Sequence, residues 1–193
     1  MSDIFLSASV PLPDRHPRFR ETVDVTAIKD AVRSLAIACS GKHTLVFGGH
    51  PAITPLIRQQ MEDMGSNVSE GFIIYQSLFF ERQFIPDLEK FERIVYTQQV
   101  EDSLEKSLLH MRQEMLSSRK FDAAFFIGGM EGILVEYVLF HDKWPSAKIF
   151  PIASTGAGAR ILFNERVQEM GWGDNLLHDM RYLSLFKQLL KSI

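Results

Sequence analysis

The chain has 193 residues, 46% of them hydrophobic and 23% charged, with a formal net charge of -3. That length gives one domain with a full core, or at most two small ones. The acidic balance excludes broad non-specific DNA binding, which needs a basic face, but not a small anionic ligand in a locally positive pocket.

The one cysteine, Cys39, falls in a helical pattern, so no disulfide framework or cysteine-based zinc site forms within the chain. It reads as a small buried core residue. The six histidines, at 16, 43, 50, 110, 141 and 178, show no metal-binding spacing, and no metal is expected. The opening Met-Ser-Asp-Ile-Phe-Leu lacks the charged start and apolar run of a signal peptide. No stretch reaches the ~18–20 apolar residues of a membrane span. A cytoplasmic protein that contacts neither membrane nor nucleic acid polymer is expected.

Short apolar runs alternate with amphipathic stretches along the chain. Ile4 to Ser9 reads as a strand, and Pro11 to Glu21 as a loop carrying Arg15, Arg18 and Arg20. Asp24 is placed to cap a helix whose inner face is Ile28, Ala31, Val32, Leu35 and Ala36. His43 to Gly49 is a second strand. Pro51 suits a first helical turn, ahead of an apolar face of Ile53, Ile57, Met61 and Met64 that Gly65 terminates. Gly71 to Ser77 is a third strand, Leu78 to Phe91 a longer connection, and Arg93 to Gln98 a fourth strand.

Asp102 and Glu105 have capping-box spacing, before a buried stripe of Leu104, Leu108, Met111 and Met115. Ala123 to Gly129 is the fifth strand, followed by a helix from about Glu131 to His141. That helix reads as nearly buried all round. Lys148 to Ser154 is the sixth strand, followed by a helix to about Met170 and, past Gly171-Trp172-Gly173, a final helix from about Asn175 to Leu190. The last helix carries a broad apolar surface that either caps the sheet or meets a twin subunit.

Continuous apolar strands alternating with helices imply a mostly parallel, doubly wound sheet of about six strands, a Rossmann-like three-layer α/β sandwich. No internal repeat, linker or low-complexity tract interrupts residues 1–193, so a single domain is expected.

Ligands of such sheets bind beyond the carboxyl ends of the strands. Four of those ends share one character: Ser7-Ala8-Ser9, Gly48-Gly49-His50-Pro51, Gly128-Gly129-Met130-Glu131-Gly132 and Ser154-Thr155-Gly156-Ala157-Gly158. Glycine admits close approach to the backbone, and a helix N-terminus offers unpaired N–H groups to phosphate. None of the turns is Gly-x-Gly-x-x-Gly or a Walker A loop, which disfavours a standard dehydrogenase or P-loop NTPase. No Gly-x-Ser-x-Gly elbow supports a serine hydrolase. Arg15, after the first strand, is suited to phosphate. Glu81 and Arg82, after the third, are within reach of a ligand on that edge. Glu131 sits where a carboxylate favours the helix dipole. Glu136 sits among Ile133, Leu134, Val135, Tyr137 and Val138, where a carboxylate needs a partner, a ribose hydroxyl or a proton-transfer role.

Phe47-Gly48-Gly49-His50-Pro51-Ala52-Ile53, Phe126-Ile127-Gly128-Gly129-Met130-Glu131-Gly132 and Ser154-Thr155-Gly156 together resemble the SLOG superfamily. That group includes the Smf/DprA proteins and the LOG phosphoribohydrolases, and the resemblance is strongest to a bacterial branch found in conflict and antiphage systems. The resemblance runs from Leu6 to about Arg160. It implies a Rossmann-like fold binding nucleotides or nucleotide-derived ligands; some relatives sense NAD-derived signals such as cyclic ADP-ribose isomers. The LOG enzymes cleave the bond between base and ribose phosphate with a Pro-Gly-Gly-x-Gly-Thr-x-x-Glu motif. Gly128, Gly129, Gly132 and Glu136 occupy its places here, with Ile127 for the proline, Ile133 for the threonine and one residue added before Gly132. Arg82 is the candidate for the family's catalytic arginine.

The resulting expectation is a sensor module. It would hold a nucleotide or an NAD- or ADP-ribose-derived ligand, use no cofactor, associate as a homodimer or higher oligomer, and signal to a separate effector protein. The alternative is a nucleotide N-glycosidic hydrolase or transferase in which Glu136 assists attack at the anomeric carbon. A third reading is an assembly protein with a relict pocket.

Overall fold

The computed structural model describes residues 1–14, 16–65 and 71–193. Six strands, β1 (Asp3–Ser9), β2 (Thr44–Gly48), β3 (Phe72–Ser77), β4 (Ile94–Thr97), β5 (Ala123–Gly128) and β6 (Lys148–Ile152), form one sheet in the order β4-β3-β2-β1-β5-β6. Every neighbouring pair is parallel. The chain therefore builds outward from β1 to β4 and then crosses to the other side of β1 for β5 and β6. This order reversal makes a switch point between β1 and β5, where Ser7 pairs with Phe126 and Ser9 with Gly128.

The helices are α1 (Val25–Cys39), α2 (Thr54–Asp63), α3 (Leu104–Ser117), α4 (Glu131–Lys143), α5 (Ala157–Met170), α6 (Asn175–His178) and α7 (Tyr182–Leu190). Successive strand residues point to opposite faces. Ile4, Leu6, Leu45, Phe47, Ile74 and Phe125 thus pack with α1, α2, α6 and α7. Phe5, Val46, Ile73, Tyr75, Ala124 and Phe126 pack with α3 and α4. Helix α5 lies near the β6 edge, with Phe163 in the first cluster and Leu162 in the second. Among the described residues no helix is long and apolar enough to cross a membrane.

Several helix ends differ from the sequence expectation, each for a local reason. Residues 51–53 form a turn rather than helix, because the Thr54 hydroxyl accepts the His50 N–H and His50 Nδ1 accepts the Ala52 N–H. Pro55, not Pro51, sits in the first turn of α2, and Met64 is 44% exposed beyond its apolar face. Ser103 caps α3 by accepting the Lys106 N–H, whereas Asp102 has φ 49°, which an extended N-cap residue does not adopt. The buried stripe is consequently Ser107, Met111 and Met115, with Leu104 47% exposed.

Helix α4 is not buried all round: Val135 is 42% and Val138 49% exposed. Strand β6 ends at Ile152 and a 3₁₀ turn covers Ala153–Thr155. The expected last helix is two, broken where the Asp179 carboxylate takes the Arg181 N–H and guanidinium. Tyr182, Leu185, Phe186 and Leu190 of α7 are buried, with Phe186 edge-on to Phe125 of the sheet at 5.4 Å, so this face caps the sheet.

Candidate functional site

An all-parallel sheet puts the carboxyl ends of its strands along one edge, so the four turns singled out in the sequence share that edge. Their amides are not equally available. Gly49 donates to the Tyr75 carbonyl at 2.8 Å, and Gly129 to the Ser9 carbonyl at 2.8 Å. Gly128 donates to Thr155 Oγ1 at 2.9 Å, and Thr155 in turn donates to the Ile152 carbonyl. Gly156 donates to Ala153, and Ala157 to the Thr22 hydroxyl. Ser154 Oγ lies 3.2 Å from the Tyr182 hydroxyl and donates to the Asp179 carbonyl. The 154–158 turn is thus tied to the protein itself, and a Cβ at Gly156 (φ 74°) would overlap the Thr22 carbonyl.

The amides left open are those at the start of α4. Met130 provides no side-chain cap, and the N–H groups of Met130, Glu131 and Gly132 meet no acceptor among the described residues. These donors and the helix dipole favour an anion. Glu131 itself is exposed.

Beside that turn lies a charged cluster. Ser7, 4% exposed at the end of β1, donates its hydroxyl to one oxygen of Glu136 on α4. Arg112 of α3 holds the other oxygen, with Nε 2.9 Å from Oε1. The Arg112 and Glu136 side chains are 14% and 16% exposed. One turn earlier, a Cβ at Gly132 would stand 2.9 Å from Arg112 Nη2, so the missing side chain is what lets the guanidinium lie against the first turn of α4. The cation therefore borders the open amides while neutralising Glu136. The partner that Glu136 requires is supplied by the protein.

Arg112 was not singled out by sequence, although a signal was present. It follows Met111 and stands four residues after Leu108, on the inward side of α3, where an unpaired cation would be costly. Arg82 is exposed in the 3₁₀ turn Leu78–Gln83, and the ion pair of Glu136 is made with Arg112 instead. Arg15 lies outside the described residues. Of its neighbours, Arg18 lies over the Phe19 ring at 4.5 Å and Arg20 donates to the Pro13 carbonyl.

His50 is half-buried at the end of β2; burial pushes its pKa below the usual 6.5, and Nδ1 accepts the Ala52 N–H, which leaves the proton on Nε2. Met111 of α3 reaches toward Gly48, its Cε 3.4 Å from where a Cβ would stand. A surface groove of about 720 Å³, lined in part by Arg33, Ile37, Met180 and Lys187, lies along α1 and α7, away from the switch point. Among the described residues no group of three or more His, Cys, Asp or Glu side chains is placed to hold a metal ion.

Comparison with known proteins bears on family and fold. The sequence pattern of the SLOG cluster3 family matches residues 18–190. The chain belongs to the SLOG cluster3 family. A solved structure, the X-ray structure of TM1055 from a structural genomics programme, superposes on this SLOG protein with a TM-score of 0.62 at 14% identity, covering 100% of both chains. That likeness bears on fold alone. A search of curated proteins finds no match. Membership of the SLOG family carries a nucleotide-related function in general terms.

Proposed function

We propose that this SLOG protein binds a nucleotide or an NAD- or ADP-ribose-derived ligand at the switch point and acts as a sensor module. The phosphate sits on the open amides of Met130, Glu131 and Gly132 with Arg112 Nη2 beside it, and the ribose hydroxyls meet Ser7 and Glu136. The observation that carries this reading is the partly buried Ser7–Glu136–Arg112 cluster abutting the uncapped first turn of α4. Buried charge is costly and contributes little net stability, so its place beside an anion-ready turn is best explained by a ligand.

Output then lies in a separate effector protein or in a second copy of this chain. Leu104 and Leu109 of α3 with Val135 and Val138 of α4, all at least 38% exposed, offer an apolar surface for such association. Light scattering with and without ligand measures it.

A second reading is N-glycosidic hydrolysis. Water would attack the anomeric carbon as the base leaves, with Glu136 taking the proton from water and the departing base protonated in turn. The carboxylate is placed among groups that suit this, but both of its oxygens already hold hydrogen bonds, which favours binding over turnover. Calorimetry with AMP, NAD and ADP-ribose, together with chromatography for free base or nicotinamide, separates the two. Binding without release, weakened at least tenfold in Glu136→Ala, is the expected result. Release lost in the same variant favours the hydrolase, and no binding by any of the three overturns both.

A further inference from the structure

We infer that Gln76, at the crest of β3, reads the base of a bound purine nucleotide, with His50 Nε2 as an additional donor. This inference rests on the nucleotide reading above and fixes which way the ligand lies.

The direction follows from which turns are closed. On the β6 side, the contact of Gly156 with Thr22 and the bonds of Ser154 and Thr155 fill the edge with protein. A ligand anchored between Ser7 and the start of α4 therefore extends the other way, over β2 toward β3. The crest of β2 is Gly48-Gly49, which has no side chain of its own and is bordered by Met111 Cε at Gly48 and Gln76 Oε1 at Gly49.

At the end of that path lies Gln76. It is 8% exposed, and its Oε1 occupies the place a Cβ on Gly49 would take. The side chain extends from the same face of β3 as Ile74, beside the His50 loop. Its carboxamide makes no hydrogen bond to a described residue and keeps contact with solvent, so its donor and acceptor are free for a ligand. The amide at the crest of β3 is therefore not engaged by the fold itself.

The chemistry of the group selects its partner. A glutamine amide presents one donor and one acceptor side by side, the complement of adenine N6–H with an adjacent ring nitrogen. His50, proton on Nε2, adds a donor for a second ring nitrogen. The spacing agrees: β1 and β3 are two strand intervals apart, about 10 Å, the reach of a base from its ribose plus one hydrogen bond.

The test compares AMP with ribose 5-phosphate by calorimetry on the full chain. The wild type is expected to bind AMP more tightly than ribose 5-phosphate. Gln76→Ala is expected to weaken AMP about tenfold or more while leaving ribose 5-phosphate unchanged. Gln76→Glu keeps the size, removes the amide donor and should do the same, which covers a folding failure of the alanine variant. Gly49→Ala displaces the flexible end of Gln76 and should shift AMP alone. An unchanged AMP to ribose 5-phosphate ratio in the Gln76 variants overturns the base subsite and spares the nucleotide reading. A wild type that binds neither compound overturns both.

Discussion

At the scale of single residues, the Glu136 side chain is 16% exposed and has one oxygen held by Ser7 and the other by Arg112. Removing one ion of such a pair leaves the other uncompensated, at about 3–5 kcal/mol, whereas replacing both with neutral groups of similar size is nearly neutral. Arg112→Met should therefore destabilise strongly, and adding Glu136→Gln should recover most of the loss, as read by urea unfolding of the two single variants and the double. If the double variant is no more stable than Arg112→Met alone, the two charges are not coupled.

The histidines give a separate prediction at this scale. Burial lowers the pKa of His43 and of His50 below 6.5. Between the lowered native value and 6.5 the unfolded chain binds more protons than the native one, so stability rises with pH across that window, is lost as pH falls through it, and levels off once both states are protonated. Unfolding free energies measured above 6.5 and about one pH unit below it should show the drop, and His50→Asn should reduce it. A flat profile would mean that neither ring is held neutral by the fold.

At the scale of elements, the strands were legible and the turns were not. Strand interiors such as Phe125-Phe126-Ile127 are apolar on both faces because helices cover both, and that pattern survives in one dimension. Helix ends depend on which hydroxyl reaches which amide. Ser103 displaces Asp102 as the cap of α3, and the Asp179–Arg181 contact cuts the last helix, because these are contests of geometry between neighbours. The glycine turns misled in a more instructive way. Gly156 looked like room for a ligand, but its partner is Thr22, whose hydroxyl also takes the Ala157 N–H across 135 residues of sequence. No local pattern encodes that meeting. Gly156→Ala combines a positive φ with overlap on a backbone carbonyl and should cost about 3 kcal/mol. Gly171→Ala has a similar φ of 64° but open space around it and should cost less. Equal losses at the two sites would show that the Thr22 contact contributes nothing.

At the scale of the molecule, the order β4-β3-β2-β1-β5-β6 gathers the candidate contacts at one edge, on strand ends, turns and the helices α3 and α4 beside them. The core clusters lie below that edge, on either side of the sheet. A ligand at the edge thus touches β1, β2, β3, α3 and α4, elements that come together only in the folded chain. The separate pieces of the unfolded chain hold no equivalent site, so binding should be to the native state alone. Stabilisation then follows RT ln(1 + [L]/Kd), about 2.7 kcal/mol at a hundredfold excess over Kd. For a chain of this length each kcal/mol raises Tm by about 2–4 °C, which gives roughly 5–10 °C at that excess. AMP titrated in a thermal melt should produce a rise that grows with the logarithm of its concentration. The same rise should be much reduced in Glu136→Ala, whose own Tm sets the baseline. A Tm that does not move with AMP, NAD or ADP-ribose at millimolar levels would leave the edge without a nucleotide and the Arg112–Glu136 pair without the role assigned to it.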